Sequence, residues 1–473
     1  MSDIESANYS ETAGGNNATP PNGAPEGMAP SGVNDTIREI MAAIKRDWNR
    51  SHPTVTSGGA ANAQTLTYAA APAGYFQGQR FCFIAGFTNT GAATLNVNGI
   101  GAKNIFMDGV ALVGGEIVAG SVLEMVYDGT QFQITSSRAP GAFPGGFKNW
   151  LINGDFDIWQ RGAGGSASIS VATGSAYAAD RWFIATSASN AHTVSQQAGL
   201  TNGSRFCVRV QRNAGQTGTA ACLFAQAFTT DMLVPLRGQI ITMSAKVRSG
   251  ANWSPASGAL SMQFVTGTAT EQKGSNTFTG PVTVATVTTN LGTSSAITTI
   301  KATSTVVVPT NATQGEIDFF YTPTGTAGAA DYVEIDEVQV EIGGIATAFD
   351  RRSFVDELAR CQRFFQKSFL YGTAPAQNAG TTGALALPQV VAAATGQDGF
   401  GFILPTRMRV APTLTLYNPA AANGQPRNMS VLADCSAVVT AVAEQDFHLS
   451  FTTAAGSAVG NVNRIHATFD ADI

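Results

Sequence analysis

Charge is what this chain has least of. Asp, Glu, Lys and Arg make up 12% of its 473 residues, about half the roughly 25% usual for a globular domain. That poverty disfavours a helical cytosolic enzyme and fits a β-rich protein with much of its surface in subunit contacts. With 27 basic against 32 acidic side chains the net charge is −5, so no basic field is available to hold nucleic-acid phosphates. No apolar run reaches the roughly 18 residues that would span a bilayer, so the chain is expected not to be membrane-embedded. Asp3 and Glu5 stand where a secretory leader would be basic, and no apolar segment follows them. Cys82, Cys207, Cys222, Cys361 and Cys435 are odd in number and lack CxxC or Cys/His zinc spacing. They read as buried free thiols of a protein made in a reducing compartment.

What is present is glycine, 51 residues of it, small hydroxylated residues and short alternating apolar runs. The length calls for about three domains. Residues 1 to about 30 (NNATPPNGAPEGMAPSG and its flanks) hold too few large apolar groups to fold alone. They read as a tail or as an arm that orders against a partner. A helix is predicted from about Val33 to Trp48, with Ser31 or Asn34 as cap. Its Val33, Ile37, Ile40, Ile44 and Trp48 form one apolar stripe, and two heptads are too few to stand alone in water. The stripe must face its own chain or copies of itself.

From Gly58 to Ser136 the period changes to two. Asn98-Gly99, Asp108-Gly109 and Asp128-Gly129 mark turns, and Val122 to Ile134 reads as a hairpin closed by Asp-Gly. This predicts a small antiparallel β module over 58–138, after an attachment arm and helix over 1–57. Ala139 to Gly146 is a Pro/Gly linker. Lys148 to Gly162 (KNWLINGDFDIWQRG) reads as the first strand and turn of a jelly-roll β-sandwich over 147–351. Its further strands are expected at Arg205–Gln211, Gln239–Val247, Leu260–Val265, Ser304–Val308, Glu316–Tyr321 and Tyr332–Ile342. Ser353 caps a second amphipathic segment, Phe354, Leu358, Cys361, Phe365 and Phe369, whose helix ends near Arg363. Strands at Gly399–Leu404, Pro412–Tyr417, Val438–Val442, Phe447–Thr452 and Arg464–Phe469 then give a C-terminal β-sandwich, so that 353–473 is a short helix plus a distal domain. The fold class is mainly β.

Three stretches together resemble tailed-bacteriophage or prophage tail fibres and receptor-binding proteins. PEGMAPSGVNDTIREIMAAIKRDW is similar to a virion-attachment end. GFTNTGAATLNVNGIGAKNI with VLEMVYDGTQFQI is similar to a β module recurrent in such fibres. NWLINGDFDIWQRG, with Asp180-Arg181-Trp182, Tyr332–Ile342 and ELARCQRFFQKS, resembles their carbohydrate-binding-module-like jelly-roll and distal segments. The resemblance implies an elongated homotrimer in the virion, made in the host cytoplasm without a signal peptide. Residues 1–50 would dock on a tail or baseplate protein, and the C-terminal end would bind a host surface glycan or protein. A purely structural tail component and a polysaccharide depolymerase are the alternative readings.

Glycoside cleavage needs paired carboxylates. Asp155 and Asp157, and Asp331, Glu334, Asp336, Glu337 and Glu341 of the closing strand, are the acidic groups available, but strand-face acids read as solvated and no enzyme is expected. The carbohydrate-binding-module resemblance implies a structural calcium on Asp157 and Asp336; otherwise no cofactor is expected. For sugar stacking, a flat ring must be exposed. Trp150, Trp159 and Trp182 read as core, whereas Trp253, in the loop SGANWSPASG, and Tyr371, Phe400 and Tyr417, beside turns, are the candidates. His448 and His466 read as sheet residues, and no GxSxG elbow is present.

Overall fold

The computed structural model describes residues 16–136 and 148–473, apart from 21–22, 108, 113, 163–167, 188 and 294. The first fifteen residues of the arm and the linker at 139–146 lie outside the described residues. The chain divides into two compact units, Met1–Pro144 and Gly145–Ile473, and is mainly β. Among the described residues no helix is long and apolar enough to cross a membrane. All five cysteines are buried and unbridged.

In the first unit helix α1 spans Pro30–Ser51, further at both ends than its apolar stripe. The predicted caps Ser31 and Asn34 lie inside it. The N-cap is Ala29, without a side-chain bond, and Pro30 opens the first turn, where its missing N–H has no partner to lose. The helix buries Thr36, Ala43 and Arg50, one heptad apart, and Thr36 Oγ1 donates to the Gly23 carbonyl at 2.9 Å. Val33, Ile37, Ile40, Met41, Ile44 and Trp48 stay 40–66% exposed.

An eight-stranded sheet follows, in the order Gly58–Ala60, Ala63–Leu66, Ala93–Val97, Lys103–Met107, Phe132–Ile134, Val122–Tyr127, Arg80–Ile84, with Val110–Ala111 paired to Lys103–Met107. It is antiparallel except for two pairings, Ala63–Leu66 with Ala93–Val97 and Lys103–Met107 with Phe132–Ile134. The predicted Asp-Gly hairpin is present. Asp128 Oδ1 accepts the Thr130 and Gln131 amides, both at 2.9 Å, and Gly129 takes φ +105°, a conformation open to glycine at little cost. The inner faces supply Phe81, Phe83, Leu95, Val97, Met125 and Phe132 to one core.

The second unit begins with the jelly roll, two six-stranded antiparallel sheets. One runs Gly174–Tyr177, Phe183–Thr186, Cys222–Phe228, Gln314–Tyr321, Ala259–Gly267, Val282–Asn290; the other Thr298–Thr303, Ile241–Ser249, Tyr332–Ile342, Phe206–Arg212, His192–Ala198, Ser168–Val171. Between them lie Trp159, Trp182, Phe224, Met262, Ile317 and Val338, all 2% exposed or less. The strand expected at Ser304–Val308 is instead the turn after Thr298–Thr303.

The segment 148–162 is not a strand. It is an irregular, nearly buried turn held by side chains. Asn153, at φ +57°, accepts from the Ile158 amide at 2.9 Å and donates to the carbonyls of Ile158 (2.9 Å) and Asp180 (3.0 Å). Gly154 packs so closely on the closing strand that a Cβ would stand 2.2 Å from the Val338 carbonyl oxygen. Polar bonding in place of a ladder is what lets so apolar a segment remain irregular when buried.

A four-residue helix α2, Thr230–Leu233, precedes Ile241–Ser249. Helix α3, Phe354–Gln362, is capped as predicted, Ser353 accepting the Asp356 amide at 3.2 Å. Past it, Val462–Asp470 is the hub of a sheet, pairing with Phe365–Lys367, Leu385–Pro388, Thr413–Tyr417 and Arg427–Asn428, and Gly396–Ile403, Asp446–Thr452 and Ser436–Val442 form a three-stranded sheet. Their core centres on Leu387, Phe447, Leu449, Ile465 and Ala467. The region from 353 onward belongs to the same compact unit as the jelly roll.

Candidate functional site

The joint between jelly roll and C-terminal sandwich is polar and built from the two ends of the unit. Arg161, at the end of the buried turn, reaches Asp470 (3.0 Å) and Asp472 (2.7 Å), and Arg181 also pairs with Asp472. Burial would raise the Asp472 carboxyl, but the two guanidiniums outweigh it and hold the group below the usual 3.8. Lys367 Nζ donates to the carbonyls of Gln160 (2.6 Å), Tyr371 and Thr373 (2.8 Å each).

Beside this joint a ladder presents a polar face. Strand Thr413–Tyr417 pairs Thr413 with Asp470, Thr415 with Thr468 and Tyr417 with His466. Side chains alternate along a strand, so Thr413, Thr415 and Tyr417 share one face with Thr468 and Asp470. With Arg161, Phe365, Pro375 and Asp472 they line a cleft of about 490 Å³, within the range of small-ligand sites. Tyr417 is half-buried, its ring edge-on to Phe369 at 5.4 Å and its hydroxyl 3.3 Å from Thr468 Oγ1. Arg161 lies over the Phe365 ring at 3.9 Å. Three threonine hydroxyls and two carboxylates stand there beside aromatic carbon, a mixture of polar groups and ring surface of the kind a pyranose can meet.

The structure brings only Tyr417 of the four aromatic candidates into this cleft. Trp253 is a core residue, 4% exposed, its Nε1 donating to the Gly258 carbonyl at 3.0 Å and its ring 4.5 Å from that of Tyr321. The loop folds inward because that carbonyl satisfies the indole N–H. Tyr371 is a structural bolt. Its hydroxyl accepts the Trp159 amide at 2.9 Å and donates to the Asp157 carbonyl at 3.1 Å. Phe400 packs on the C-terminal core and stacks with Phe451. Of the tryptophans expected in the core, Trp159 and Trp182 are fully buried, whereas Trp150 is partly exposed.

Of the two acids that the resemblance assigns to calcium, Asp336 is fully buried and Asp157 is half-buried. Asp336 accepts the Leu200 amide (2.8 Å), the Ser204 hydroxyl (2.9 Å) and the Glu337 amide (2.8 Å), bonds that tie the closing strand to the 200–204 loop. The charges acting most on Asp157 are those of Arg205, Arg351 and Glu357. Among the described residues no group of three or more His, Cys, Asp or Glu side chains is placed to hold a metal. The acids of the closing strand are not solvated either. Asp331 pairs with Arg212 at 3.4 Å, Glu334 with Arg209 (2.6 Å) and Arg248 (2.5 Å), and Glu341 accepts from Thr347.

Arg161, Asp470, Asp472 and the three threonines were not singled out by sequence. The alternation TLTLY marks Thr413 and Thr415 as one face, but Arg161 meets Asp470 across 309 residues, and no local spacing carries that.

No family model matches the chain, and no curated protein matches it. Similar solved structures include one titled for CBM4 structure and function (15% identity, 40% of this chain and 98% of that one, TM-score 0.24). Others are the CBM22-1 xylan-binding domain of Paenibacillus barcinonensis Xyn10C (10%, 43% and 100%, 0.25) and the Stig cyclase Fisc from Fischerella sp. TAU (11%, 42% and 100%, 0.26). Likenesses this slight carry no argument about what the chain does.

Proposed function

We propose that the chain is a homotrimeric tail fibre of a bacteriophage or prophage, attaching the virion to a host surface glycan through the cleft beside Tyr417. The observation that carries the reading is the ladder face of Thr413, Thr415, Tyr417, Thr468 and Asp470, a cleft-lining platform of hydroxyls and ring carbon. Recognition is non-covalent. Support for assembly comes from α1, whose apolar stripe its own unit leaves uncovered; three such helices would bury it in a short coiled coil. Residues 1–50 would then dock the trimer on the tail. Weak single sites suffice, because several copies make later contacts intramolecular.

The test is fluorescent full-length protein on an array of bacterial surface polysaccharides, with release of reducing ends followed in parallel. The double variant Thr413→Val/Thr415→Val keeps β-branched shape on exposed positions and removes two hydroxyls. It should weaken binding about tenfold with the fold intact. Unchanged binding would remove the cleft from the reading, and released reducing ends would replace attachment by depolymerisation.

A further inference from the structure

The charges lining the cleft beside Tyr417 are not equally open to a ligand. Among the described residues Arg161 is its one lining cation, and that side chain is only 12% exposed. The guanidinium lies 3.9 Å over the Phe365 ring and is held by two acids, Asp470 (3.0 Å) and Asp472 (2.7 Å). Asp472, 2% exposed, is shared with the buried Arg181. Asp470 differs from all of these, with 43% of its side chain exposed. Its Oδ2 accepts from Arg161 and its Oδ1 from the Asp472 amide at 3.0 Å. A carboxylate has about four lone-pair sites, so about two remain for donors from the cleft. Strand Val462–Asp470 sets Asp470 between Phe365 on one side and Thr413 on the other. Arg161 covers Phe365, and the side toward Thr413 belongs to the cleft. Lys367, on the neighbouring strand, brings no open cation, because its three ammonium hydrogens go to carbonyls.

Resting on the glycan reading of this cleft, we infer that Asp470 sets its charge preference: the cleft takes a neutral, hydroxyl-rich oligosaccharide and rejects an acidic one. Sugar hydroxyls are donors, and an ionised acceptor bonds them more strongly than a neutral one. A uronic acid brings a second carboxylate, with no hydrogen to donate, beside Asp470, and the lining guanidinium is already held by two acids. Discrimination then comes from repulsion as much as from attraction. The register also orients the ligand. Asp470 stands opposite Thr413, and Tyr417, opposite His466, lies four residues along the strand, about 14 Å at roughly 3.4 Å per residue. That span suits an oligosaccharide rather than one ring, with hydroxyls on Asp470 and Thr413 at one end and an apolar C–H face on the Tyr417 ring at the other.

The test titrates the full chain by calorimetry with oligomers of galactose, glucose and mannose, each beside the uronate oligomer of the same sugar and length. At least one neutral oligomer should bind, and its uronate should bind about tenfold more weakly. The gap should narrow as salt screens the charges. Asp470→Asn keeps the shape of the side chain and removes its charge. It should weaken the neutral oligomer about fivefold and strengthen its uronate, two effects of opposite sign that misfolding cannot mimic. Thr413→Val/Thr415→Val should weaken the neutral oligomer while Asp470 still disfavours the uronate, which separates the hydroxyl contacts from charge selection. No binding by any oligomer at about 10 mM overturns the glycan reading and this inference together. Neutral binding that the threonine variant weakens, with the uronate bound equally well or with a gap that Asp470→Asn leaves unmoved, overturns this inference alone.

Discussion

Helices α1 and α3 carry the same signal in sequence, an apolar stripe at helical spacing, and the chain treats the two in opposite ways. The face of α3 is closed within its own unit from Leu358 onward, while Phe354 at its start stays 38% exposed. Cys361 and the following Phe364 are fully buried with Ile152 and Ile158, and Leu358 and Tyr371 pack around them. The α1 stripe stays open to solvent. The polar residues explain the difference better than the apolar ones. Around α3 they reach the jelly roll, Arg363 pairing with Asp231 and Glu357 accepting the Asn153 amide. On α1 two ion pairs among the described residues lie within the helix itself, Arg38 with Asp35 (3.3 Å) and Arg46 with Glu39 (2.8 Å). Amphipathicity says that a face must be covered; the partners of the flanking charges say whose surface covers it.

The strongest way to break this contrast is to attack the interior under α3. The Arg181 guanidinium lies 3.6 Å over the Phe364 ring, and its side chain, like that of Asp472, is at most 2% exposed. Asp472→Ala removes the acid and leaves Arg181 buried with only the Ala227 carbonyl. Breaking a buried pair from one side costs about 3–5 kcal/mol, and chemical denaturation of the second unit should show a loss of that size. On α1 the corresponding change is Arg38→Ala. That pair is exposed, 75% and 58%, and its loss should stay within about 0.5 kcal/mol. Equal effects at the two sites would erase the distinction.

A smaller effect, resolved by pH, separates the same two regions. Asp155 is pushed up to about 7 by burial and the charges of Asp157 and Glu357, and Asp180 and Asp336 are pushed to about 6, chiefly by burial. Their ordinary value is 3.8, so between about pH 4 and 7 the folded state binds more protons than the unfolded one. Their contribution is complete below the unfolded value and is lost as pH rises through 6 to 7. Thermal melts of the second unit should therefore shift downward over that window. Asp472, held below 3.8, acts with the opposite sign but only in more acid solution. The α1 stripe has no titratable side chain, so association through it should not change over the same range; a melt insensitive to pH would remove the buried-acid account.

The sequence alone revealed which segments are strands where alternation is strong and turns carry Asp-Gly or Asn-Gly, and it placed α3 to within a residue of its end. It failed where tertiary bonding overrides local pattern. The segment 148–162 alternates like a strand, yet Asn153 and the close approach of Gly154 to Val338 hold it as a buried turn. Trp253 sits in a loop of small polar residues and is nonetheless core, while Trp150, in an apolar run, is partly exposed. For the site, Tyr417 was legible because it ends an alternating strand. Arg161, Asp470 and Asp472 were not, because what joins them is a long-range ion pair between opposite ends of the second unit.

The smallest effect on stability belongs to α1, and there the comparison is most exposed to refutation. If the stripe waits for copies of itself, Ile37→Asn/Ile44→Asn should leave both units melting as before at high dilution, within about 0.5 kcal/mol, because those side chains are already 50% and 59% exposed. What should change is mass in sedimentation, from three chains to one of 48.9 kDa. Two polar groups at core positions of a coiled coil of only two heptads suffice for that, since so short a coil has little stability to lose. A parent protein already monomeric at micromolar concentration would mean that the stripe is covered by something other than its copies, and the difference between α1 and α3 would then be one of partner rather than of assembly.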